Sequence, residues 1–177
     1  RTLTIAHRGF HLSVPENTIA AFRAAAEIGA DGVETDVQMT KDGHLVIHHN
    51  YTINTGPKGH IAIAAMTLEE INMFNNKVVQ AQLRPDVTIP TLEECLKACD
   101  SLELVNIELK APIDRTLPYV ERVVEVVNVL GYTDRVIISA FDHRLLKQVK
   151  MLDASIKVGA LTMPSNFSNT ATFKLLC

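Results

Sequence analysis

The chain predicts an α/β domain in which helices cover a sheet, and three observations predict it. Short β-like runs alternate with longer segments of helical period along the chain. Its 177 residues are one domain's worth of sequence, enough to bury a substantial core. Apolar residues make up 47% and charged residues 21%, which is ordinary globular usage.

The elements follow in order. A first strand over 3–7 ends at His7 and runs into Arg8-Gly9. Asn17 caps a helix over 18–28, in which Ile19, Phe22 and Ala26 form an apolar stripe and Gly29 gives the stop. A strand over 32–38 follows, and the segment 35–49 leaves no room for a helix. Lys41-Asp42-Gly43 is a turn signal, so a strand over 45–49 returns as a hairpin. The stretch 50–65, with Gly56-Pro57-Lys58-Gly59, reads as a long loop of the kind that covers or gates a site. Thr67-Leu68-Glu69-Glu70 and Thr91-Leu92-Glu93-Glu94 each place a Glu three positions after a capping Thr, and each opens a helix. Further strands are predicted over 104–110, 136–139 and 157–161, with helices over 117–130 and 143–151. No internal repeat is visible.

Composition excludes some classes of function. A net charge of −3 offers no basic field for nucleic acid. No apolar run approaches the ~20 residues that span a bilayer, so this segment carries no membrane span. The chain begins at Arg1 without a Met, which leaves an upstream leader or anchor open. Cys95, Cys99 and Cys177 are odd in number and lack C-x-x-C spacing, against both a disulfide framework and a zinc knuckle. Reduced thiols favour the cytoplasm, with the compartment otherwise unknown. Cys95 and Cys99, four apart on a helix, read as small buried hydrophobes rather than as a shared metal site.

Strand parity brings the first chemistry. A period of two turns Glu34, Asp36 and Gln38 to one face and Val33, Thr35 and Val37 to the other. The same arithmetic gathers Asn106, Glu108 and Lys110. If the apolar faces meet helices, the carboxylates point inward, where ionised acids are costly unless paired or metal-bound. Oxygen donors of this kind suit Mg²⁺ or Ca²⁺ better than zinc. The alternative is a pair of solvated edge strands, with Glu108 simply paired to Lys110. His7 ends its strand, and the turn near Asp42 returns His49 beside Glu34 and Asp36. Two imidazoles there can act as base and acid in one displacement at phosphorus; each taken alone is an ordinary polar strand end. His11, His44, His48, His60 and His143 receive no role, although a one-residue slip would exchange His48 with His49.

The ordered runs His7-Arg8-Gly9, Pro15-Glu16-Asn17-Thr18, Glu34-Thr35-Asp36-Val37 and Thr40-Lys41-Asp42-Gly43 ending in His49 resemble the glycerophosphodiester phosphodiesterase family. The resemblance continues through Ile89-Pro90-Thr91-Leu92-Glu93-Glu94, Asn106-Ile107-Glu108-Leu109-Lys110 and Ser139-Ala140-Phe141-Asp142, and covers about 3–161. It implies a TIM-type (β/α) barrel and hydrolysis of glycerophosphodiesters, or of lysophospholipids, with one divalent cation (Mg²⁺ or Ca²⁺). Position by position it implies Glu34, Asp36 and Glu108 as metal ligands and His7 and His49 as the acid/base pair. Arg8 and Lys110 match phosphate-binding residues. Two stretches depart from the family pattern: Asn50 stands where an Asp is usual, and Ile53-Asn54-Thr55-Gly56 replaces a common Arg-Thr-Thr run.

A full barrel of this type takes ~250 residues, so the expectation is an incomplete barrel over 1–164, truncated after about six strands, and a non-family tail over 165–177. Open sheet edges then predict marginal stability and association with a second copy. Two further readings are a phospholipase C or D-type enzyme of a related barrel and a catalytically inactive fragment.

Overall fold

The computed structural model describes residues 1–82, 84–163 and 174–176. The chain runs β1 (Ile5–His7), α1 (Ile19–Glu27), β2 (Gly32–Met39), β3 (Leu45–Ile47), β4 (Thr52–Asn54), β5 (His60–Ala62), α2 (Leu68–Gln82), α3 (Leu92–Ala98), β6 (Leu104–Leu109), α4 (Tyr119–Val129), β7 (Val136–Ala140), α5 (His143–Leu152), β8 (Lys157–Ala160) and β9 (Lys174–Leu176). Single 3₁₀ turns occur among the connections.

The main sheet has the order β1-β2-β6-β7-β8-β9, with β3 paired to the end of β2. Strands β1, β2, β6, β7 and β8 are mutually parallel, while β3 and β9 are antiparallel to their partners. Parallel neighbours joined through helices form the wall of a TIM-type (β/α) barrel. Among the described residues the end strands β1 and β9 do not pair with each other.

Parity decides what the wall buries. Val33 and Val37 of β2, Val105, Ile107 and Leu109 of β6, and Val136 and Ile138 of β7 share one core with Phe22, Leu96, Val123, Leu146 and Val149 from the helices. The helices therefore cover the apolar face, and the opposite face is left to polar residues. All eight residues of β2 are buried, whereas β6 alternates half-buried Asn106 and Glu108 with buried Val105, Ile107 and Leu109.

Both predicted capping boxes are present. The Thr91 hydroxyl accepts from the Glu94 amide while the Glu94 carboxylate accepts from the Thr91 amide, and Thr67 and Glu70 do the same. Three expectations need correction. Thr18, not Asn17, caps α1, its hydroxyl accepting from the Ala21 amide. Strand β3 stops at Ile47, so neither His48 nor His49 lies in it. The stretch 50–65 is not a bare loop: β4 and β5 pair as a small antiparallel hairpin, with Ile53 opposite Ile61. That hairpin buries a second apolar cluster of Val46, Ile53, Ile63, Met66 and Ile71, which explains why the chain orders there despite its glycines. Cys95 and Cys99 are buried free thiols in the first core. The expected tail, including Cys177, lies outside the described residues except for the backbone of β9, 174–176.

Candidate active site

The site is assembled on Glu34 and Asp36 of β2 and at the carboxyl ends of β1 and β6, where barrel enzymes place reactive groups. Parallel register sets Glu34 beside Asn106 and Asp36 beside Glu108, and it sets His7 of β1 beside Glu34. One carboxylate oxygen from each of Glu34, Asp36 and Glu108 lies within 4.8 Å of the others. Three acids this close repel, and burial removes the water that would screen them. Burial, reinforced by Asp36 and Glu108, accordingly pushes the Glu34 carboxyl up to about 8.

Two cations and an imidazole border this cluster. The Arg8 amide donates to Glu34 Oε2 at 3.2 Å, and its guanidinium meets Glu16 at 3.0 Å and Asp36 at 3.5 Å. Lys110 Nζ lies 3.2 Å from Glu108 and 3.5 Å from Asp36. Burial opposes the Lys110 charge, but Glu108 and Asp36 outweigh it and raise its pKa. His7 Nε2 lies 3.7 Å from Glu34. Partial burial and the neighbouring Arg8 lower the His7 pKa, which leaves its ring largely neutral at neutral pH.

The His-Arg-Gly run has a local reason. Arg8 and Gly9 take positive φ values of 57° and 79°, which turns the chain sharply off β1 and lets the Arg8 amide face Glu34. A Cβ on Gly9 would lie 2.7 Å from the Ala21 backbone of α1, so no larger residue fits.

His49 arrives by a different route. The Gln38 amide donates to the carbonyls of both His48 and Asn50, at 2.6 and 2.8 Å, and so clamps the backbone on either side of His49. His49 Nδ1 lies 3.0 Å from Asn50 Oδ1, the residue in the place of the usual acid. Among the described residues, Glu34, Asp36, Glu108, Arg8, Lys110 and His7 are joined by direct contacts, while the polar contact of His49 is with Asn50. His48 lines a cavity with Glu16, Thr52 and His60.

Two residues matter beyond those singled out for the site. Asn17, at φ 55°, donates to Asp36 Oδ2 at 2.9 Å and accepts from the Thr35 hydroxyl at 2.9 Å. Glu16 holds the Arg8 guanidinium. In the Pro15-Glu16-Asn17-Thr18 run the identity Asn is the one trace of this role, since Asn tolerates left-handed backbone better than other non-glycine residues, but it equally fits a helix cap.

The donor set fits a hard divalent cation. It consists of carboxylate oxygens, and Glu34 Oε1 and Asp36 Oδ1 are buried without a hydrogen-bond partner. A cation held by Glu34, Asp36 and Glu108 would satisfy both atoms and relieve the repulsion.

Comparisons with known proteins identify the family. Residues 7–172 match the model of the glycerophosphoryl diester phosphodiesterase family. A glycerophosphodiester phosphodiesterase of Caldanaerobacter subterraneus is 41% identical over 162 residues, covering 91% of this chain and 67% of that protein. One of Bacillus altitudinis is 39% identical over 166 residues, covering 92% and 67%. The solved phosphodiesterase of Oleispira antarctica, in complex with the product sn-glycerol-3-phosphate, superposes with a TM-score of 0.76 at 29% identity, covering 94% of this chain and 69% of that one. The chain thus spans about two thirds of the length of these relatives. By the family match over most of its length and by these identities, the chain belongs to the glycerophosphoryl diester phosphodiesterase family.

Proposed function

We propose that this chain hydrolyses glycerophosphodiesters to glycerol 3-phosphate and an alcohol, with one divalent cation, Mg²⁺ or Ca²⁺, held by Glu34, Asp36 and Glu108. The observation that carries this reading is the buried acid trio within 4.8 Å, bordered by His7, Arg8 and Lys110. The product named in the Oleispira antarctica complex supports the same substrate class.

When bound, the cation supplies electrostatic stabilisation of charge developing on the phosphoryl oxygens. The protein's own groups do the rest. Arg8 and Lys110 bind the phosphate; the buried Arg8 Nε makes no hydrogen bond of its own and approaches Asp36 only at 3.5 Å. His7, held neutral, takes the proton from the attacking hydroxyl, which is water or the substrate's own glycerol oxygen; in the second case a cyclic phosphate forms and water opens it. As the bond from phosphorus to the leaving oxygen breaks, His49 gives that alkoxide a proton. Asn50 and Gln38 orient His49 for this step.

Substrates extend to lysophospholipids on this reading. A cavity of about 370 Å³ lined by Glu16 and Asn17 is lined also by Ile53, Phe74, Val78 and Ile89, which suits an alkyl chain.

Incubating glycerophosphocholine with the protein in Mg²⁺, Ca²⁺ or EDTA tests the proposal. Glycerol 3-phosphate and choline are expected with a cation and neither in EDTA; phosphocholine would instead mark a phospholipase C-type cleavage. His7→Ala or His49→Ala should lower turnover by about 10²–10⁴ while the fold is retained. Near-normal turnover in a folded His49→Ala protein overturns the acid-base assignment.

A further inference from the structure

Two buried oxygens on the inner face of the sheet are left unexplained by the reading above. Asn106 Oδ1 and Ser139 Oγ, like Glu34 Oε1 and Asp36 Oδ1, are buried and have no hydrogen-bond partner. Ser139 is only 2% exposed. Register places both residues next to members of the acid trio: Asn106 stands beside Glu34 across β2 and β6, and Ser139 stands beside Glu108 across β6 and β7. Paired residues of parallel strands share a face, and their neighbours Ile107 and Ile138 lie in the core on the other side. A buried polar atom left without a partner is costly, so two on one small surface call for a ligand.

The chemistry of the pair narrows that ligand. Asn106 Oδ1 is an acceptor, and the Ser139 hydroxyl can accept as well as donate. A water coordinated to a cation turns its lone pairs inward and its hydrogens outward, so it seeks acceptors in the surrounding wall. Hard cations, Mg²⁺ above all, keep several such waters. We propose that Asn106 and Ser139 are positioning residues that hold a water of the cation's hydration shell on the floor of the site. The inference rests on the acid trio binding a cation and adds two residues to which the family resemblance gives no role.

Calorimetric titration of the full chain with Mg²⁺ alone, beside thermal melting in EDTA, tests it. Ser139→Ala and Asn106→Leu should each weaken Mg²⁺ binding by about 10–100-fold, the usual cost of losing an outer-shell partner. In EDTA, Ser139→Ala should melt no lower than the parent, because it removes an unsatisfied hydroxyl. Ser139→Thr, which keeps the hydroxyl, should bind Mg²⁺ within a few-fold of the parent. A merely structural hydroxyl gives the reverse pattern, with lower melting in EDTA and unchanged Mg²⁺ affinity, and that result overturns the proposal. If the parent chain itself binds no Mg²⁺, the acid trio is not a cation site and both readings fall together.

Discussion

Asn17 does its work from a backbone conformation that most residues avoid. At φ 55° it turns its side-chain amide to Asp36 and its side-chain oxygen to the Thr35 hydroxyl, fixing one ligand of the proposed cation site from outside the sheet. Asn17→Ala loses both hydrogen bonds and adds left-handed strain, and should cost about 2 kcal/mol or more in urea denaturation. Asn17→Gly relieves the strain and should fall between the two. Glu34 gives a pH signature. Its carboxyl stays protonated in the folded, cation-free protein up to about 8, against an ordinary 4.5, so the folded state holds a proton that the unfolded state has released. Stability in EDTA should therefore fall as pH rises from about 5 to about 8, and Glu34→Gln should flatten that slope. Added Mg²⁺ should raise the melting temperature more at the upper end of the window, since binding displaces the proton. A pH-independent melting temperature in EDTA would contradict this account. At this scale the acids were legible in sequence because period-two alternation fixes the face of a strand residue. Asn17 was not, because a left-handed φ leaves no mark on the sequence beyond the identity Asn, which equally fits a helix cap.

Elements hold the site through short-range chemistry that the sequence signals unevenly. Capping boxes at Thr67 and Thr91 were legible because the pattern is local, four residues satisfying one another's amides. The turn at Lys41-Asp42-Gly43 was legible for the same reason, and Gly43 takes φ 83° there. Asp42 goes further and accepts from the Leu68 amide at 3.1 Å, tying this turn to the start of α2. The end of β3 was not legible, since residues 48–50 leave the ladder to meet Gln38, a contact set by tertiary packing rather than by propensity. The β4–β5 hairpin was hidden as well: its apolar pairs are too short for a periodic signal, and they are stabilised by burying Ile53 and Ile63 against Val46 and Ile71. Gln38 links this inserted segment to the inner face through two hydrogen bonds. Gln38→Leu keeps its size but frees two carbonyls. It should lower turnover on glycerophosphocholine by about tenfold or more through loss of His49 orientation, with Mg²⁺ affinity nearly unchanged. A parallel fall in Mg²⁺ affinity would instead assign Gln38 to the acid cluster.

For the whole molecule the consequence of the fold lies at the ends of the sheet. Strand β1 pairs on one side with β2, and β9 pairs on one side with β8; among the described residues neither has a second partner. Unpaired strand edges carry rows of amide and carbonyl groups at fixed spacing, a template for another strand. Both edges here are three residues long, which limits each to a few hydrogen bonds and argues for weak, reversible pairing rather than a permanent dimer. The inner face adds little attraction of its own, because it carries Glu34, Asp36, Glu108 and Lys110 instead of an apolar surface. Sedimentation velocity should accordingly show a species heavier than the 19.5 kDa chain at high concentration that dissociates on dilution. Added salt should leave this association largely intact, since backbone hydrogen bonds are screened far less than surface charge pairs. A single species of 19.5 kDa across the whole concentration range would show that the strand ends are covered within one chain, and the edges would then carry no interface.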